Sequence, residues 1–133
     1  MIGLHYCPTS SEGNIVWDRY NLMAQNAMNQ GKPQEAEDLF RSAVAEAEKF
    51  DAKDPKLASS LNNLANCLRN QGKYPEAEQH YKRALDIRQK VLGPLHTDLI
   101  GIYENYAKML RAAGREAEAT KMDNHARAIF MKS

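Results

Sequence analysis

The sequence is sparing with the residues that mark most secreted, membrane-bound or strongly charged proteins. Of its 133 residues only two are cysteines, Cys7 and Cys67. Two so far apart make no disulfide framework, and a reducing, intracellular and cytoplasmic setting is expected. Charge of neither sign dominates: 18 Lys and Arg stand against 17 Asp and Glu, a net +1, which argues against nucleic acid as a partner. No apolar run approaches the roughly 18 residues needed to cross a bilayer, so no membrane role is expected. The start, Met1-Ile2-Gly3-Leu4-His5-Tyr6-Cys7-Pro8, lacks a basic region, a long apolar stretch and a small-residue cleavage site, and does not read as a secretion signal. Val, Ile and Thr are scant beside Ala, Glu, Lys and Leu, which leaves little room for strands.

The groupings that carry chemistry are missing as well. His5, His80, His96 and His125 fall in unrelated settings, none paired with another ligand at a metal-binding spacing, so neither a metal nor a cofactor is expected. His96 follows Gly93-Pro94, where a part in starting the next helix is the natural role. His80 and His125 are expected on outer helices, in water. Gly31, Gly72 and Gly114 are single turn glycines and form no phosphate loop. The Ser and Thr residues offer no nucleophile elbow. Glu35, Glu37, Glu46, Glu48, Glu76, Glu78, Glu116 and Glu118 lie in Glu-Ala-Glu runs of the kind that forms a solvated helix face. The six methionines are scattered, which suits core filling. The chain does not read as an enzyme.

What the sequence does have is a repeat. Gly31, Gly72 and Gly114 are 41 and 42 residues apart, opening Gly31-Lys32-Pro33-Gln34-Glu35-Ala36, Gly72-Lys73-Tyr74-Pro75-Glu76-Ala77 and Gly114-Arg115-Glu116-Ala117-Glu118-Ala119. Alanine recurs seven residues before each glycine (Ala24, Ala65, Ala107), five after it (Ala36, Ala77, Ala119) and twelve after it (Ala43, Ala84, Ala126). A fixed period in this range signals stacked supersecondary units. The middle unit reads as two helices. Leu57, Leu61, Leu64, Ala65, Cys67 and Leu68 form one apolar stripe that starts at Asp54-Pro55 and stops at Gly72. Ala77, Tyr81, Ala84, Leu85 and Ile87 form the second, ended by Leu92-Gly93-Pro94. Alanine suits sites where two helices cross closely, since a larger side chain would hold the backbones apart.

The chain resembles the tetratricopeptide repeat (TPR) family, and its period near 42 resembles the kinesin light chain type. Leu61-Asn62-Asn63-Leu64-Ala65, Gln71-Gly72-Lys73-Tyr74-Pro75-Glu76-Ala77-Glu78, Tyr81-Lys82-Arg83-Ala84-Leu85 and Val91-Leu92-Gly93-Pro94-Leu95-His96 carry the likeness. It implies an all-α, right-handed superhelical α-solenoid of three helix pairs, six helices in all. The repeats run over about 16–56, 57–98 and 99–131 of a single domain, 15–133, with residues 1–14 as a segment before them. Asn26 stands where the later units have Cys67 and Met109, and Asp123 where the earlier ones have Phe40 and Tyr81. Polar residues at both outer surfaces are what capping units require.

The resemblance also implies a non-catalytic adaptor or scaffold that binds a protein or peptide partner on the concave side, lined by the first helix of each unit. Asp18, Met28, Asn29, Ser59 and Glu104 fall there, together with the residues expected to bind: Asn21, Gln25, Asn62, Asn63, Asn66, Arg69, Asn70, Asn105, Lys108 and Arg111. An amide side chain both donates and accepts, so a row of them can pair with the backbone of an extended peptide. Arg69, Lys108 and Arg111 add a positive bias toward the third unit. Repeats that hold the C-terminal carboxylates of heat-shock chaperones carry basic residues where this chain has Asn21, Gly101 and Asn105. Only Asn63 agrees with that pattern, so chaperone-tail binding is not expected. The alternative is a self-associating structural module, a homo-oligomer formed through the end units or the N-terminal segment. Residues 2–7, with Ile2, Leu4 and Tyr6, are expected to pack across the end of the groove that carries Leu22 and Met28, in the same chain or in a neighbouring molecule.

Overall fold

In the computed structural model, residues 11–51 and 53–132 are described, with side chains from residue 14 onward. Six helices account for nearly all of them: α1 (Ser11–Asn29), α2 (Pro33–Ala47), α3 (Pro55–Asn70), α4 (Tyr74–Leu92), α5 (Asp98–Ala112) and α6 (Glu116–Lys132). There is no strand among the described residues, and no described helix is long and apolar enough to cross a membrane. The expected segment of residues 2–7, with Cys7, lies outside the described residues.

Local chemistry sets the helix ends. Gly31, Gly72 and Gly114 adopt φ of 72°, 79° and 79°, the left-handed conformation that costs glycine least. The residue after each then turns its N–H back onto the preceding helix: Lys32 to Ala27 O at 2.9 Å, Lys73 to Leu68 O at 2.9 Å, Arg115 to Leu110 O at 2.8 Å. Asp54 caps α3, its Oδ1 accepting from the Lys56 N–H at 2.8 Å, with Pro55 in the first turn. His96 takes the part expected of it at the start of α5: its Nδ1 accepts from the Asp98 N–H at 3.1 Å. Gly93, at φ 90°, stops α4.

All nine repeating alanines are buried, and around them pack Phe40, Leu61, Leu64, Leu68, Tyr81, Leu99, Met109, Leu110 and Ile129. Cys67 is buried as expected. Each helix packs on the next in sequence, and α3 also touches α5 directly. No contact as extensive joins α4 to α6, so at the second junction the first-helix side is the tighter one. At the outer ends Asn26 is exposed where Cys67 and Met109 are buried. Asp123 is half-buried and ion-paired with Arg111, so a specific partner accompanies its access to water.

Three carboxylates depart from the solvated reading: Glu46, largely covered and paired with Lys49 of its own repeat, and Glu37 and Glu78, which join neighbouring repeats. Glu37, 5% exposed, accepts from Arg41 of its own helix at 2.7 Å, and from Gln71 at 3.0 Å and Lys73 at 2.9 Å of the next repeat. Glu78 accepts from Arg115 at 2.9 Å and from the Tyr106 hydroxyl at 2.6 Å. These are one device used twice: the sixth residue after a turn glycine meets the cation that directly follows the next turn glycine. Burial raises the Glu37 carboxyl, but the bonds from Lys73, Arg41 and Gln71 outweigh it and hold the pKa at about 2. Arg115 does most to hold Glu78 at about 2 against its burial. His80 also departs from expectation, being half-buried, and burial lowers its pKa.

Candidate protein-interaction face

The amides expected to bind fall on the first helices α1, α3 and α5, of which α3 and α5 touch directly. At the centre they are already joined. The Tyr81 hydroxyl, rising from the core on α4, donates to Asn66 Oδ1. Arg69 Nη1 lies 3.3 Å from each of Asn66 Oδ1, the Tyr81 hydroxyl and the backbone carbonyl of Asn105. Asn105 Nδ2 donates to Asn62 Oδ1 at 3.3 Å. The network ties α3 to α5 at the level of Tyr81, so Asn62, Asn66, Arg69 and Asn105 help hold the second and third repeats together. That gives the asparagines a structural role, despite their poor helix propensity.

The remaining candidates divide by access. Gln25, Asn70 and Lys108 are exposed, and Asn63 is half-buried. Asn21 donates to the Trp17 carbonyl at 3.0 Å, while its buried Oδ1 has no donor among the described residues. Arg111 is held at the far end by Glu116 at 2.9 Å and by Asp123 on α6. With Arg69 in the network and Arg111 paired to α6, the positive bias expected toward the third unit reduces to Lys108. Met28 is partly buried and packed against the core.

One residue on this side is not visible from first-helix periodicity. Arg88 belongs to α4, a second helix, yet it reaches a cavity of about 220 Å³ between α3 and α5, with Asp98 Oδ2 at 3.2 Å from its Nη2. Its position matches Ala47 in the first repeat and Phe130 in the third. A cation among apolar equivalents was the available signal.

Two sequence models described as tetratricopeptide repeat match the chain, one over residues 56–132 and the other over residues 21–90. No curated protein matches the sequence. Among solved structures, the putative kinesin light chain nearly identical TPR-like repeats of Podosopora anserina match at 26% identity and a TM-score of 0.78, over 87% of this chain. This chain spans only 55% of that one. The TPR domain of Arabidopsis FLU matches at 20% identity and a TM-score of 0.77, over 91% of this chain and 99% of that domain. BtubC (BKLC) from P. vanneervenii matches at 18% identity and a TM-score of 0.56, over 90% of this chain and 65% of that one. The family matches, each over more than half of the residues, join the repeat spacing and the six stacked helices in one conclusion: the chain belongs to the tetratricopeptide repeat family and stands close to its kinesin light chain type.

Proposed function

We propose that this protein is a non-catalytic adaptor that holds a segment of a partner protein along the inner face of α1, α3 and α5. Tetratricopeptide repeats in general mediate protein–protein interactions, and the family assignment supports that much. The observation that carries the finer reading is the Asn62–Asn105 and Arg69–Asn66–Tyr81 network, flanked by the accessible Gln25, Asn63, Asn70 and Lys108. A rigid polar floor with free groups at its margins suits an extended backbone, because little order has to be imposed on binding. Backbone hydrogen bonds with modest apolar contact correspond to micromolar affinity, about 8 kcal/mol.

The test is a peptide-display selection against the wild type beside an Asn63→Ala/Lys108→Ala variant, with folding checked by circular dichroism. These residues are chosen because replacing Asn66 would also break its bond to Tyr81 and confuse binding with stability. A shared motif enriched on the wild type and lost on the folded variant supports the inner face. A motif that survives in the variant places the site elsewhere. Self-association is the second reading. The exposed Ile15, Leu22 and Met23 on α1 and Phe130 and Met131 on α6 favour it. Solution mass that rises with concentration while no peptide is enriched would select it.

A further inference from the structure

Beneath the inner face lies a buried cation with an unanswered donor. Arg88 is 6% exposed. Its Nη2 is held by Asp98, but the buried Nη1 has no acceptor among the described residues. Buried charged donors are rarely left so, because forgoing the bond is costly. Arg88 lines the 220 Å³ cavity between α3 and α5 together with Asp98, Ser59, Asn62, Ala58 and Gly101. Pockets for small-molecule ligands start near ~300 Å³, so this one has room for a single side chain.

The cavity follows from sequence differences between the repeats. Counted from the turn glycines, Trp17 is equivalent to Ala58, and Ser59 to Gly101. At the first junction Trp17 reaches across from α1, its Nε1 donating to Ser60 Oγ at 2.6 Å. At the second junction Ala58 is too small to do the same. Gly101 brings no side chain, and a Cβ placed there would meet nothing within 4 Å. Arg88 stands where the first repeat has Ala47, so a long polar side chain lines a space that small residues open.

Electrostatics select the occupant. Asp98 already neutralises Arg88, so the pocket holds a cation and an anion side by side. A carboxylate entering it would be drawn to Arg88 and repelled by Asp98, while an apolar group would pair with neither charge. A primary carboxamide carries an acceptor oxygen and a donor NH₂ on one planar group, and answers both. Resting on the reading of the inner face as a partner site, we infer that this cavity is a specificity subsite for a glutamine or asparagine side chain of the bound segment. Its carbonyl oxygen accepts from the Arg88 guanidinium, its NH₂ donates to the Asp98 carboxylate, and Ser59 and Asn62 border the opening.

The intact protein is titrated with the N-acetyl methylamides of glutamine, glutamate and leucine, and followed by NMR at the backbone amides of Ser59, Asn62 and Gly101 and at the Arg88 side chain. The glutamine probe is expected to give saturating shifts confined to these groups at millimolar concentration, with the glutamate and leucine probes about tenfold weaker. Gly101→Leu fills the open space from the edge of α5 and should abolish the shifts. Arg88→Met should weaken binding about tenfold. If Arg88→Met fails to fold, Gly101→Leu decides. Glutamate binding as tightly as glutamine, shifts that persist in Gly101→Leu, or no saturating shift with any probe would each overturn the subsite. Because the probes need no partner, an empty peptide selection alongside intact glutamine shifts would remove the adaptor reading and leave the subsite. The reverse pair of results would remove only the subsite.

Discussion

Glu37 keeps its charge where burial penalises it, and three donors from two repeats make that possible. The acidic residues of this protein look alike in sequence, since Glu35 and Glu37 flank one alanine, yet Glu35 is exposed and Glu37 is buried. Helical periodicity places Glu37 near a boundary, but it cannot show that Lys73 and Gln71 arrive from the next repeat, 36 and 34 residues on. The consequence is a dependence on pH with a definite sign. The Glu37 pKa falls from an ordinary 4.5 to about 2 on folding, so its contribution is complete above about pH 4.5 and is lost as pH falls toward 2. The cations that hold it are partly exposed, and screening keeps that contribution to about 2 kcal/mol. Glu37→Gln should therefore unfold at lower urea concentration than the wild type at neutral pH, and the two midpoints should converge in acid. A gap that stays constant down to about pH 2 would assign the loss to packing and not to charge.

At the scale of the helices, glycine provides the sharpest contrast, because the same substitution should act in opposite directions. Gly72 sits at φ 79° between α3 and α4. An alanine there meets no atom but must adopt a left-handed backbone, at about 1 kcal/mol. Gly101 lies within α5, with open space around it. Alanine there gains helix propensity, again about 1 kcal/mol. Gly72→Ala should lower the thermal midpoint by roughly 4 °C and Gly101→Ala should raise it by a similar amount. Scanning calorimetry of the two variants beside the wild type is enough, and movement in the same direction would refute the argument. The turn glycines, the Asp54-Pro55 start and the Leu92-Gly93-Pro94 stop were legible because each acts on its own few residues. The start of α1 at Ser11 was not. Ser11-Glu12-Gly13-Asn14 carries no apolar residue to set a helical period and includes two poor helix formers.

Across the whole molecule, the repeat length, the pairing of helices and the nine buried alanines could be read from the sequence because they recur at fixed spacing. What joins one repeat to the next could not. The Asn62–Asn105 bond and the carbonyl held by Arg69 span helices far apart in the chain, and Arg88 approaches the inner face from a second helix that the periodicity assigns elsewhere. The junctions nevertheless follow a rule, Glu37 to Lys73 and Glu78 to Arg115, which lapses at the end of the array, where Thr120 takes the glutamate's position. The two clasps share no residue, so their effects should add: Glu37→Gln/Glu78→Gln is expected to lose the sum of the single losses to within about 0.5 kcal/mol. Whether they add within one transition depends on the coupling between neighbouring repeats. The middle repeat packs on both others, through α2 against α3 and α4 against α5, and Tyr81 links its core to the network reaching Asn105. Either clasp should thus weaken the array as a unit, with circular dichroism and Trp17 fluorescence giving one midpoint in each variant. Trp17 reports on the first junction, far from Glu78 in the chain. If Glu78→Gln lowers the circular dichroism midpoint and leaves the fluorescence midpoint in place, the third repeat unfolds on its own and the array is not one cooperative unit.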